Sequence, residues 1–354
     1  MGSIYDVAKK ARVSPSTVSR VVNGDARVRA ETRQRVKQAL AEVGYEPNLL
    51  ARSLRRRSSQ MIGLMVDTLA NPFVAELAQA IADALTRAGY FLTLSSTERQ
   101  SDRLLGHMDM FARRGVDGIL LATSTGSHGA EVAARCAVLA QRGIPSVAVG
   151  WAVPTLSAVL PDHAAAMALA VGHLRELGHE RLAFLAGPEA SYISVQRQAG
   201  FLQAITDGGA PEPVVIPTGG DPRRAAVLLA QTVEVNGITG IVAASDFLAS
   251  GALQAAHGLG WTVPRDLSVV GCDNTALAAM AVPPLTTVDI SRGLMAELAV
   301  RRLVGWLDGT DRPPEPVVET VPVQLVLRSS TAEPRTGERG SPAARKARPQ
   351  PPRA

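Results

Sequence analysis

Three aspartates, Asp162, Asp246 and Asp273, stand where the chain leaves apolar, strand-like runs, and an arginine, Arg197, lies between the first two in sequence. A carboxylate at a strand end accepts hydrogen bonds from hydroxyl groups. A guanidinium, planar and always charged, donates paired ones. Together they suit a polyhydroxy molecule such as a sugar, or next a nucleoside or purine. Each carboxylate has the alternative of capping the helix that follows it. Ser245, beside Asp246, belongs to the same candidate set. Asn71 and Phe73 follow the first long apolar run and can aim one amide and one aromatic ring at that place, although Pro-Phe at a helix start also serves as a staple on its own unit. Trp151 and Tyr192 offer stacking surfaces in a chain with only 4% aromatic residues, with Trp151 equally suited to burial. A second chemistry lies near the start. Ser16, Thr17, Ser19 and Arg20 fall outward on one short predicted helix, small hydroxyls plus one guanidinium, a surface able to approach base edges closely.

Three elements must position that surface. Ile4, Val7, Ala8 and Ala11 share one helical face, and Val13, Val18, Val21 and Val22 supply the facing one. Ser14 is placed to cap the second helix, Pro15 occupies its first turn, and Asn23-Gly24 stops it. A third helix is expected over 30–43, ended by Gly44, with Val36, Ala39, Leu40 and Val43 closing the core.

From residue 61 the pattern changes. Strand-like runs at 62–66, 91–95, 118–122, 146–149 and 158–160 alternate with helical segments at 73–88, 100–114 and 131–142. A second series runs 182–186, 212–216, 240–243, 268–270 and 286–289, with helices at 164–177, 195–207, 223–235, 247–259 and 275–281. This predicts an α/β body of two lobes, each a parallel sheet covered by helices. Ligands of such sheets bind at the carboxyl ends of the strands, so the gap between lobes is the expected pocket. A helix near 291–307 and the segment 317–327 would return the chain across the lobes.

Charge separates the parts. Residues 1–60 carry a net +8, residues 329–354 a net +4, and the 268 residues between them −7. A basic head on an acidic body is the pattern of a phosphate-binding module joined to a domain with another task. No apolar stretch reaches membrane-spanning length, and no secretory signal is seen, so the expectation is a cytoplasmic protein. Cys136 and Cys272 are far apart and lack metal-ligand spacing; they are expected to be buried thiols, and neither metal nor organic cofactor is expected. A doubly wound sheet also suits nucleotide-binding enzymes. The sequence, however, holds no G-x-G-x-x-G turn after the first strand, no phosphate-binding loop, no G-x-S-x-G and no H-E-x-x-H.

Asp6-Val7-Ala8, Val13-Ser14, Thr17-Val18-Ser19-Arg20-Val21, Asn23-Gly24, Glu31-Thr32-Arg33, Gly44-Tyr45, Pro47-Asn48 and Ala51-Arg52-Ser53-Leu54 resemble the head and hinge of the lactose/galactose repressor family of bacterial transcription regulators. The likeness runs from about residue 4 to residue 329. It implies a helix-turn-helix DNA-binding head over 1–46, a hinge helix over 47–60, and a two-lobed body like that of periplasmic binding proteins over 61–329. Residues 330–354, rich in Pro and Arg, are expected to form a disordered basic tail. The resemblance implies DNA contacts from Ser16, Thr17, Ser19, Arg20, Asn23, Tyr45, Arg52, Leu54 and Arg55, with Leu54 as a wedge in the minor groove. In the body, Phe73 would pack on the ligand, and Ser194-Val195-Gln196-Arg197-Gln198-Ala199-Gly200-Phe201 matches the family pattern that points Arg197 into the cleft opposite Asp273. Three departures stand out: Pro15 where a base-reading side chain often sits, Arg29-Ala30 at the start of the third helix, and Gly150 where the family often has Asp. The partners implied are pseudo-palindromic operator DNA, a small-molecule effector and a second copy of the chain, since one recognition helix covers only a half-site. A solute-binding receptor and an enzyme acting on a sugar or nucleoside are the alternatives.

Overall fold

The structure is a computed structural model. It describes residues 3–22, 25, 27–44, 58–98, 100–124, 129–208, 212–233, 237–310 and 315–335. Asn23, Tyr45, Arg52, Leu54 and Arg55 lie outside the described residues, as does most of the expected hinge.

Two units divide the chain at residue 60. In the first, helices α1 (Ile4–Ala11), α2 (Pro15–Val22) and α3 (Ala30–Val43) enclose a core of Val7, Ala8, Ala11, Val18, Val21, Val36 and Ala39. Ser3 and Asp6 form a reciprocal capping box on α1. The Ser14 hydroxyl accepts the Thr17 N–H at 3.2 Å, so the expected cap of α2 forms with Pro15 in the first turn. Gly44 ends α3 at φ +60°, a conformation glycine adopts at little cost. Arg33 donates to the carbonyl of Asp25 at 2.9 Å and ties the α2–α3 connection to α3.

The second unit alternates β1 (Met61–Val66), α4 (Pro72–Arg87), β2 (Phe91–Ser96), α5 (Ser101–Arg113), β3 (Gly118–Ala122), α6 (Gly129–Gln141), β4 (Ser146–Val149) and β5 (Ala158–Pro161). There follow α7 (His163–Glu176), β6 (Leu182–Ala186), α8 (Tyr192–Asp207), β7 (Val214–Pro217), α9 (Pro222–Thr232), β8 (Gly240–Ala243), α10 (Asp246–Gly258), β9 (Ser268–Cys272), α11 (Ala276–Met280) and β10 (Thr286–Asp289). The chain ends its regular structure in α12 (Arg292–Leu307), β11 (Val318–Val321) and β12 (Gln324–Val326).

Among the described residues the strands form two six-stranded sheets, ordered β11-β5-β4-β3-β1-β2 and β12-β10-β9-β8-β6-β7. Every pairing is parallel except β10 with β12. In the first lobe, alternate residues face opposite layers. Ile62, Leu64 and Val66 of β1 meet α4 and α12, while Met65 meets α5. The second lobe has its own core around Phe184 and Phe201, whose rings stack with centroids 4.9 Å apart. The chain passes between lobes at β5 to α7, β10 to α12 and β11 to β12. No helix among the described residues is long and apolar enough to cross a membrane.

One boundary differs from expectation. Ser330, placed in the disordered tail by composition, is fully buried. Its hydroxyl donates to the Val269 carbonyl and accepts the Thr286 N–H at 2.8 Å. The Ala332 carbonyl accepts from His179 Nε2 at 2.9 Å, and Arg335 pairs with Asp266 at 3.3 Å. Residues 330–335 thus strap the second lobe. Composition could not reveal this, because the strap is held by backbone and hydroxyl hydrogen bonds rather than by an apolar stripe.

Candidate functional site

Parallel sheets direct the carboxyl ends of their strands toward one edge, and here the two edges face each other. Asp67 follows β1, Ser124 follows β3, Gly150 follows β4, Gly187 follows β6, Ser245 follows β8 and Asp273 follows β9; all line one cleft. Three helices begin there too, capped by Asn71 for α4, Ser191 for α8 and Ser245 for α10. Their N-terminal dipoles favour electron-rich groups in the cleft.

Arg197 forms the floor. Gly200, one turn later on α8, makes this placement possible: a side chain there would come within 2.8 Å of the Ala164 backbone, so only glycine lets α8 lie this close to α7. The Arg197 side chain is 4% exposed and its partner Asp273 2% exposed, with Nη2 2.8 Å from Oδ1. Nη1 donates to the Ala244 carbonyl. Burial opposes the charge on Arg197, but Asp273 more than offsets that and holds the guanidinium above its ordinary pKa. Burial pushes the Asp273 carboxyl upward while Arg197 pulls it down. Asp273 also sits at φ +115°, a backbone region that costs a non-glycine residue energy.

His163 backs the floor from behind Arg197. Its Nε2 lies 3.2 Å from the Gly150 carbonyl, and its Nδ1 accepts from Arg197 Nε at 3.4 Å. A carbonyl only accepts and a guanidinium only donates, so the ring carries its proton on Nε2. Burial and the neighbouring Arg197 charge push this imidazole down to about 3, leaving it neutral. The rim is a chain of oxygens: Asp67 Oδ2 accepts from Ser124 N at 2.9 Å and Oγ at 2.7 Å, and Ser124 Oγ lies 2.9 Å from Ser191 Oγ. This chain crosses from the first lobe to the second.

The structure brings Asn71, Phe73, Arg197, Ser245 and Asp273 together around the cleft. Four other candidates are elsewhere. Trp151 is buried in the first-lobe core, its indole N–H donating to the Leu121 carbonyl at 2.9 Å. Tyr192 packs beside the same core with its ring edge-on to His163. Asp162 is exposed and caps α7, accepting the Ala165 N–H at 2.9 Å. Asp246 points beneath the cleft, where it accepts from Thr275 N at 2.7 Å, Thr275 Oγ1 at 3.0 Å and Thr287 Oγ1. Gly271 leaves room for it, since a Cβ there would fall 2.3 Å from Asp246 Oδ1. Burial, with Asp273 nearby, pushes Asp246 up to about 7.

Asp67, Ser124, His163, Ser191 and Phe247 were not singled out from the sequence. Asp67 and Ser124 carry the same signal as Asp273, a polar residue just past an apolar strand. In the head, Ser16 and Arg20 are exposed on α2, while Thr17 is half-buried and held by Ser14 Oγ at 2.9 Å. Ser19 is half-buried on the same helix, and Tyr5 on α1 is 71% exposed.

The sequence pattern of "Bacterial regulatory proteins, lacI family" matches residues 3–48, and that of a "Periplasmic binding protein-like domain" matches residues 171–331. The HTH-type transcriptional regulator MalR of Streptomyces coelicolor is 38% identical over 352 residues, covering 96% of this chain and 99% of that protein. The chain belongs to the lacI family of bacterial regulatory proteins. Its fold agrees: the Lac repressor dimer bound to operator and the anti-inducer ONPF superposes with a TM-score of 0.82 at 29% identity, covering 93% of this chain and 99% of that one. The transcriptional regulator CelR in complex with cellobiose gives 0.66 at 28% identity, covering 93% and 100%. As a lacI-family member the chain is a helix-turn-helix transcriptional regulator and not an enzyme.

Proposed function

We propose that this regulator represses transcription from a pseudo-palindromic operator as a homodimer, and that a sugar or related polyhydroxy effector in the cleft sets its operator affinity. The observation that carries the effector reading is the buried Arg197–Asp273 pair, whose donors and acceptors line the floor beneath a rim of serine hydroxyls and the Asp67 carboxylate. Such a lining pairs with many hydroxyls and leaves few polar groups unmatched. The cellobiose bound by CelR, a regulator of similar fold, accords with it. On the DNA side, Arg20 would contact a base edge, with Ser16, Thr17 and Ser19 beside it and Asn23, Tyr45, Arg52 and Arg55 adding contacts. Leu54 would wedge into the minor groove where two hinge segments meet. Effector binding changes operator affinity only as far as it prefers one lobe arrangement.

The test is a thermal-shift panel of sugars and nucleosides on the full chain, followed by gel-shift titration of operator fragments recovered by selection. A sugar that stabilises the protein and changes operator affinity, both lost in Asp273→Asn, is the expected result. A response confined to nucleosides overturns the effector class. Loss of operator binding in Asp273→Asn without ligand would show that the pair serves the fold rather than the effector.

A further inference from the structure

The cleft has two chambers. The inner one, above Arg197 and Asp273, has a volume of about 120 Å³. An outer one of about 540 Å³ opens beside it, and the two share Thr68, Asn71, Gly220 and Phe247 in their walls. Sites that hold a drug-sized molecule span roughly 300–1,000 Å³. The inner chamber falls below that range, so an occupant of that size that reaches the Arg197–Asp273 floor must extend into the outer one, which by itself lies within the range.

The two phenylalanines of the cleft are employed differently. Phe73 packs against the cores of both lobes, so its ring is already occupied by protein. Phe247, in the first turn of α10, is half-buried and is not among the side chains packed on any core of the described residues, yet it lines both chambers. An aromatic face left open at the junction of two polar chambers is a platform for the C–H face of a ring that bridges them. Beyond it, the outer chamber carries Glu98 and Asp221 against Arg223. Glu98 is held by Arg103 at 3.2 Å, and Asp221 caps α9 through the Arg223 N–H at 2.8 Å. With Arg103 on Glu98 and Arg223 beside Asp221, the charges of this wall balance and leave no surplus of positive charge for a phosphate, which suits neutral hydroxyls.

We infer that the outer chamber is a second subsite, with Phe247 as its stacking platform, and that the effector is a disaccharide spanning both chambers rather than a single sugar ring. This rests on the sugar reading above and assigns a specificity-determining residue within it. One ring occupies the polar floor. The other stacks on Phe247 and presents its hydroxyls to the outer wall.

Isothermal titration of the full chain with maltose, cellobiose, lactose and trehalose, each beside its constituent monosaccharides, tests this. The expected result is one disaccharide that binds about tenfold or more tightly than either of its monosaccharides, about 1.4 kcal/mol. In Phe247→Ala that ratio should fall toward one, and in Phe247→Trp it should be kept, which also shows that the position tolerates change. Equal affinities for a disaccharide and its constituents in the natural chain overturn the second subsite but leave the sugar reading standing. A Phe247→Ala variant that weakens both ligands alike, with the ratio intact, overturns Phe247 as the platform. Binding of no sugar from either group overturns the subsite and the sugar reading together.

Discussion

The two lobes share one architecture, a six-stranded sheet with helices on both faces, yet they furnish the cleft differently. The first lobe offers oxygens on the cleft wall: half-buried Asp67, the Asn71 side chain at the head of α4 and the buried Ser124 hydroxyl. Behind its part of the cleft, the second lobe buries Arg197, Asp273, Asp246 and a neutral His163. Buried charges need partners within the fold, so the second-lobe wall is fixed before any ligand arrives. The first-lobe wall is a set of hydroxyl contacts worth about 1 kcal/mol each, weak enough to exchange for a ligand. The lesson is that a rigid floor and an exchangeable rim arise from the same βαβ unit, depending on which strand-end residues turn inward.

Removing the floor should produce the largest effect. Arg197→Ala leaves Asp273 buried without its counter-charge, a loss of about 3–5 kcal/mol, measured by urea unfolding. Asp273 then has only the option of taking up a proton, so the deficit should shrink as pH is lowered. A variant as stable as the natural chain would mean that the second-lobe wall is no more fixed than the first.

A second way to sharpen the contrast uses pH. Asp246 is raised to about 7 in the fold, above its unfolded value, so the folded state holds the proton more tightly. Its contribution is complete below the unfolded pKa and is lost as pH rises toward 7. His163 is lowered to about 3, so its contribution is present above the unfolded imidazole value and is lost as pH falls. In the overlap, from about pH 4.5 to 6.5, the two slopes oppose each other at up to about 1.4 kcal/mol per pH unit apiece. Relative to the natural chain, Asp246→Asn should make stability climb more steeply with pH in that window, and His163→Asn should make it fall. Urea midpoints measured at half-unit intervals check both signs. Parallel curves for all three proteins would show that neither group is buried as described.

The carboxylates also show how far the sequence could be followed. Strand and helix positions in the body were legible because apolar runs and amphipathic spacing repeat with the βαβ period, and the observed elements agree within a few residues. Asp162, Asp246 and Asp273 share one signature, an acidic residue past an apolar strand, but meet three fates. Asp162 caps a helix in solvent, Asp246 turns under the cleft to bind two threonines, and Asp273 meets Arg197. Direction at a strand end depends on what the neighbouring strand leaves open, as Gly271 does for Asp246. Trp151 misled for a related reason: scarcity of aromatics says nothing about which side of the sheet a ring faces. Phe247 was hidden because it follows a capping serine and sits at the start of an apolar helix, where a core role is the simplest expectation.

The strap gives a prediction of intermediate size in the second lobe. Ser330→Ala removes the hydroxyl that joins the Val269 carbonyl to the Thr286 N–H in a site with no solvent access. Leaving those backbone groups unpaired should cost about 1–3 kcal/mol, seen as a lower unfolding midpoint. An unchanged midpoint would return residue 330 to the tail that composition suggested.

The smallest effect is expected at the first-lobe rim, and it tests whether that rim is exchangeable. Ser124 Oγ donates to Asp67 and stands 2.9 Å from Ser191 Oγ, while its own carbonyl accepts the Tyr192 N–H at 2.7 Å. Ser124→Ala removes only the hydroxyl contacts; the backbone link between lobes stays. Asp67 keeps the Ser124 N–H at 2.9 Å and Ser191 Oγ keeps the Ser194 N–H at 3.3 Å, so stability should drop by about 1 kcal/mol. Effector affinity is the more telling measurement. If the hydroxyl must release Ser191 before it can serve a ligand, its removal loses one ligand contact but also one contact that competes with the ligand, and binding should change less than twofold to threefold. Titration of the variant against the natural chain decides the matter. A loss of tenfold or more would place Ser124 with Arg197 and Asp273 as part of a fixed recognition surface, and the contrast between the two walls would fail.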